Sequence, residues 1–111
     1  MNKHSQKNNI KAGEFWTIND GATRGHKTLI TRRKNKEVEH LPITHSPTTR
    51  KMQNIELHEN PQKDNQSKSY ILPKIQHSKI KNVGRKQNDM QIKNPIDKSR
   101  IRNIKKENKK R

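Results

Sequence analysis

The stretch HKTLITRRKNKEVEHLPITH, residues 26–45, reads as two strands around a turn. Thr28, Leu29, Ile30 and Thr31 form a β-branched and aliphatic run, and Val38, Leu41 and Ile43 form a second. Between them Lys34-Asn35-Lys36 is a polar break, with an asparagine able to take positive φ. No other segment is as well patterned, so the rest of the chain must pack against this hairpin. Pro42 lacks an N–H for a ladder, which predicts an edge position or a bulge for the second strand. Leu41 and Ile43 share a face, while Val38 points the other way unless a bulge intervenes.

Outward from the hairpin, Glu14-Phe15-Trp16-Thr17-Ile18 suits a first strand and holds two of the three aromatic residues. Asn19-Asp20-Gly21 follows as a turn. Residues 1–12 are polar and basic and read as a flexible arm, leaving residues 13–111 as one domain. Downstream, Gln53–Leu57 is a short strand with Ile55 and Leu57 on one face. Ser69–Leu72 is another strand, closed by Pro73, and residues 88–93 suggest one more. Ile75, Ile80 and Val83 lie in a basic segment broken by Gly84. At the end, Asn94 is a candidate N-cap, Pro95 suits the first helical position, and Asp97 completes a capping-box-like pattern. The helix is read as about three turns, with Ile101 and Ile104 on one face, and must dock because a helix this short does not hold alone. Many short strands with polar turns followed by a helix predict a mainly β fold, a small barrel or sandwich.

Composition narrows the function. Hydrophobic residues make up 23% of the 111, and such poverty combined with a net charge of +17 is the signature of disorder. Here, however, the apolar residues fall in clusters that a small barrel could use. The charge is uneven: residues 1–60 carry 11 basic and 6 acidic side chains, and residues 61–111 carry 16 and 4. This gradient points to a polyanion, nucleic acid first. The absence of cysteine excludes disulfides and thiolate chemistry. His40, His45 and His58, with Glu39, Glu56 and Glu59, match no known metal-ligand spacing, and no cofactor is expected. No run approaches the ~18 apolar residues of a membrane span. The N-terminus has no apolar secretory core, so a cytoplasmic protein without a membrane partner is expected.

Four pieces in order carry a resemblance. They are Gly25-His26-Lys27-Thr28-Leu29-Ile30, Leu41-Pro42-Ile43-Thr44, Ser69-Tyr70-Ile71-Leu72-Pro73 and Ile96-Asp97-Lys98-Ser99-Arg100-Ile101. Together they resemble the PemK/MazF superfamily of bacterial toxins, whose strands read G-x-R-P and P-I-T, followed by S-x-x-L-P and an I-D-K-x-R-L helix start. The resemblance implies an SH3-like barrel and a metal-independent endoribonuclease cutting single-stranded RNA through the ribose 2′-hydroxyl. It further implies an acidic antitoxin partner and a homodimer. Its site residues fall on His26, Thr44, Arg24 and Asp97. The chain departs from the family at the Arg-Pro pair, where His26 and Lys27 stand, and carries extra residues at 74–93. Histidine is suited to acid or base work near neutral pH.

Phosphate contacts are expected from Lys27, from Arg32, Arg33, Lys34 and Lys36 at the hairpin tip, and from Arg100, Arg102, Lys105 and Lys106 on the helix. The alternative function is a non-catalytic, basic nucleic-acid-binding protein, partly disordered. With few aromatic residues, a base-stacking platform is not expected.

Overall fold

β-Branched and aromatic runs at residues 15–18, 28–31 and 38–43 become the three long strands of the molecule. The computed structural model describes residues 9–20 and 23–110. Strands β1 (Phe15–Asp20), β2 (Thr23–Lys34) and β3 (Glu37–Thr44) form an antiparallel meander. The turn between β2 and β3 is at Asn35, which takes φ 41°, a left-handed conformation that asparagine tolerates better than most residues. Short strands follow: β4 (Thr48–Thr49), β5 (Met52–Gln53), β6 (Ile55–Glu56), β7 (Tyr70–Ile71), β8 (Gln76–Lys79) and β9 (Val83–Lys86). Helix α1 (Pro95–Lys109) ends the chain.

β8 pairs with the first half of β3, and β9 pairs with β1. A single 3-10 turn, Ile80–Asn82, joins β8 to β9. This turn, not a strand pairing, joins the two ends of the order β9–β1–β2–β3–β8, and the molecule is a small, mainly β barrel with a C-terminal helix. β6 and β7 extend the sheet beyond the second half of β3.

Pro42 therefore lies in an interior strand, which corrects the expected edge. β3 changes neighbours there, from β8 at Glu37–His40 to β7 at Ile43–Thr44. The carbonyl of Pro42 still accepts from Leu72 N–H at 3.0 Å. The missing N–H forgoes only the reciprocal bond to Leu72, at the point where β3 passes from one partner strand to the other. The register irregularity lies in β2 instead, around Thr31, between the pairs Ile30–His40 and Arg32–Glu39.

Both faces of the central hairpin are buried. One face turns into the barrel with Trp16, Ile18, Ile30, Val38 and Val83. The other, bearing Phe15, Leu29 and Leu41, packs with Leu57, Ile71 and Met90 under Ile101 and Ile104 of the helix. Val38 does oppose Leu41, because each faces a different core. Burying the two isoleucines contributes about 1.5–3 kcal/mol apiece, which is how a helix with so little apolar surface stays in place. Asn94 caps it as expected, accepting from Ile96 N–H and Asp97 N–H. At its other end Asn108 accepts from Ile75 N–H and donates to the Pro73 carbonyl, at 2.9 and 3.0 Å. The helix runs 15 residues, about four turns against the expected three.

Three further expectations change. The basic segment after Ile75 forms the closing strands β8 and β9, which were not foreseen. Residues 88–93 form no strand, only an isolated bridge between Gln62 and Met90. The arm read at 1–12 falls mostly outside the described residues, but Ile10 is buried in the barrel core.

Glu14 ties that entering segment down. One carboxylate oxygen accepts from Lys11 N–H and from the Trp16 indole, and the other pairs with Lys86 at 2.9 Å. Burial pushes its pKa up, but the Lys86 contact and the Lys11 and Trp16 hydrogen bonds outweigh this and leave it below the ordinary glutamate value. A group with a depressed folded pKa stabilises the fold above its unfolded pKa, and that stability is lost as pH falls through the folded value. Below about pH 4.3 the wild type is therefore expected to lose stability more steeply than Glu14→Gln. Urea unfolding across the acid range measures the difference, and parallel curves would refute it.

Candidate functional site

The C-terminal end of β3 and the start of β2 meet at one mouth of the barrel. The last paired residues there are Thr28 and Pro42, and continuing that register by two residues sets His26 across from Thr44. Both line a cleft of about 240 Å³, together with Lys27, His45, Asn60 and Gln62. Ile43 and Met90 add apolar wall. His26 and His45 are exposed, while Lys27 and Thr44 are half-buried.

Local structure holds these groups in place. Gly25 takes φ 68°, a conformation that favours glycine, and its N–H donates to Asn19 Oδ1 at 2.7 Å. This fixes the backbone immediately before His26. Thr44 Oγ1 accepts the N–H of Ser46 at 3.2 Å, which leaves its own O–H free to donate outward. Among the described residues no carboxylate lines the cleft, and its basic side chains are His26, Lys27 and His45. Two imidazoles, a hydroxyl and an ammonium around one cavity suit a phosphodiester: two groups to move protons, one to orient and one to offset negative charge.

The four site residues expected from the sequence separate. His26 and Thr44 come together. The backbone of Arg24 runs in β2, but its side chain lies outside the described residues. Asp97 does not line the cleft. It is 1% exposed, and its two oxygens accept His58 N–H at 2.7 Å and Glu59 N–H at 3.1 Å. Its side chain thus clamps the turn leading to Asn60, in place of closing a capping box on Asn94. Asp97→Asn would set an amide N–H against one of those backbone donors and is expected to cost about 2 kcal/mol. Urea unfolding reads the loss, and faster amide exchange at His58 and Glu59 locates it; unchanged exchange there would contradict the clamp.

His45, Asn60 and Gln62 were not foreseen at the cleft. His45 could have been suspected from its place next to Thr44; nothing in sequence places the two amides. His40, only five residues before His45, is remote in kind: it is buried inside the barrel between Thr28 and Ser78.

The basic surface is spread over both ends of the fold. Arg32, Lys34 and Lys36 are exposed at the hairpin tip, where Lys34 also reaches Glu39 at 3.3 Å, and Arg33 is half-buried. Lys79 sits beside them, paired with Glu37 across the β3–β8 ladder. On the helix Arg102 and Lys106 are exposed, Lys105 is half-buried, and Arg100 donates to the Glu56 carbonyl. With 27 basic and 10 acidic side chains in the chain, basic groups far outnumber the carboxylates that could pair with them. No described helix is long and apolar enough to cross a membrane.

Compared with known proteins, the chain matches no family model, no curated sequence and no solved structure.

Proposed function

We propose that the protein binds single-stranded RNA and cuts it without a metal ion, as a toxin-type endoribonuclease. One observation carries this reading: His26, Thr44, His45 and Lys27, drawn from two strands and a loop, line one cleft with no carboxylate among its described residues. In the reaction one imidazole takes the proton of a ribose 2′-hydroxyl. That oxygen attacks the adjacent phosphorus and the bond from phosphorus to the 5′-oxygen breaks. The other imidazole, protonated, gives its proton to the departing oxygen. The products are a 2′,3′-cyclic phosphate and a 5′-hydroxyl. Lys27 and the Thr44 hydroxyl offset the charge that builds on the phosphoryl oxygens. The excess of basic charge suits RNA, and it equally suits an acidic antitoxin that would hold the enzyme in check.

The test is incubation of the purified protein with a long single-stranded RNA in EDTA. Discrete fragments with cyclic-phosphate ends are expected. RNA that stays intact yet shifts on a gel would overturn the enzyme. It would favour a second reading, a non-catalytic nucleic-acid-binding module, which the exposed Arg32, Lys34, Lys36, Arg102 and Lys106 also support. In both readings binding weakens steeply with salt.

A further inference from the structure

The cleft does not end at Asn60 and Gln62. The same two residues line a second groove, of about 400 Å³, between the 59–66 loop and the 88–93 segment. Its construction is rigid. Lys63 N–H donates to the Asp89 carbonyl, and Gln91 N–H to that of Pro61, at 2.7 and 2.9 Å. The Gln62 amide donates to Asp89 Oδ2 and accepts from Asn65, and Asn60 bonds the Ser67 carbonyl. These bonds occupy the amides that shape the loop. Those of Gln66, Asn88 and Gln91 are exposed and have no partner among the described residues.

Charge distinguishes the two cavities. Among the described residues the cleft at His26 has basic groups and no carboxylate. The groove has Glu59, Asp64 and Asp89 against Lys63 and Lys93, a net of −1 in a chain of +17. A phosphate would be repelled where the protein is least basic. A nucleobase would not: its edge is uncharged and offers donors and acceptors, which amides match in pairs and carboxylates accept from. Among the described residues no aromatic side chain lines the groove, so hydrogen bonding rather than stacking would do the reading.

We infer that this groove is a base-reading subsite for single-stranded RNA, with Asn88 and Gln91 contacting the base of a nucleotide next to the phosphate held at His26. The inference rests on the proposed nuclease reading for the strand's path, but its test does not need cleavage. The probes are four fluorescein-labelled 2′-O-methyl pentamers, UUXUU, differing only in the central base and lacking the attacking hydroxyl. Wild-type protein is expected to rank them over at least about fivefold in affinity. Asn88→Ala/Gln91→Ala is expected to bind all four within about twofold, and His26→Ala to keep the wild-type ranking. Equal binding by the wild type, no binding at all, or a ranking that survives in the double variant would overturn the subsite. Preserved ranking with no cleavage of ordinary RNA would sink the nuclease and leave the subsite standing. Cleavage with no ranking would do the reverse. Both residues are exposed, and matching circular dichroism spectra establish that the double variant is folded.

Discussion

Cleavage of single-stranded RNA by His26→Ala protein is expected to run about 10²–10⁴-fold slower than by the wild type, with a similar loss for His45→Ala. In the proposed reaction each imidazole handles a different proton, so neither replaces the other. The double variant is expected to lose little more than either single one, because residues acting as a unit are not additive. Both side chains are exposed. Their removal leaves no buried gap, and urea unfolding should stay within about 0.5 kcal/mol of wild type. That separates lost chemistry from lost fold. Added imidazole is expected to restore part of the rate to the single variants, a rescue that a structural role would not permit. Fragments that persist at full rate in His26→Ala would remove His26 from the reaction. Persistence in both variants would attribute the activity to another site or to a contaminant.

Replacing His40 by alanine is expected to destabilise the fold by about 3–4 kcal/mol, although the residue does not line the cleft. Its ring is 2% exposed, with Nδ1 2.6 Å from Thr28 Oγ1 and Nε2 2.9 Å from Ser78 Oγ. In the neutral ring one nitrogen donates and the other accepts, and the hydroxyls can rotate to match either arrangement. The imidazole thus bridges β2, β3 and β8 across the barrel interior. Alanine leaves a cavity and strips a partner from each of two buried hydroxyls. A domain of this size is stable by only about 5–15 kcal/mol, so the loss is a large share of the whole. His40→Leu with Thr28→Val and Ser78→Ala is expected to recover most of it, because the polar groups are then removed together. Urea denaturation of the three proteins decides. If His40→Ala unfolds at the wild-type midpoint, the bridge contributes nothing.

That polar bridge also explains where the sequence could and could not be read. The β2–β3 hairpin was legible because Thr28–Thr31 and Val38–Ile43 carry β-forming side chains on both faces and Asn35 marks the turn. Asn94 and Pro95 announced the helix through local hydrogen-bonding chemistry alone. By contrast, β8 is Gln76-His77-Ser78-Lys79. Its inward residue is a serine that answers His40, so no apolar alternation betrays a strand. β9 offers one inward apolar residue, Val83, and then Gly84, where any side chain would collide with Thr17 Oγ1. The expected strand at 88–93 failed for the opposite reason. Met90 and Ile92 are apolar and alternate, but Met90 serves the core under the helix and meets Gln62 only at a single bridge. Of the site, the opposition of His26 and Thr44 follows from the hairpin register. The arrival of Asn60 and Gln62 depends on Asp97 clamping a turn 38 residues earlier in the chain, which no local pattern encodes.

The pairing of β9 with β1 has a consequence for how the protein must be made. Trp16 and Ile18 are neighbours of Lys86 and Val83, so the first strand cannot complete its pairing until residues about 65–70 positions later in the chain have left the ribosome. The local hairpin is available long before then, with the inward faces of Ile18, Ile30 and Val38 still open to water. Contacts this distant in sequence are entropically slow to form. The nascent half-barrel is the stage at which a chain otherwise kept apart by its own positive charge is most exposed to aggregation.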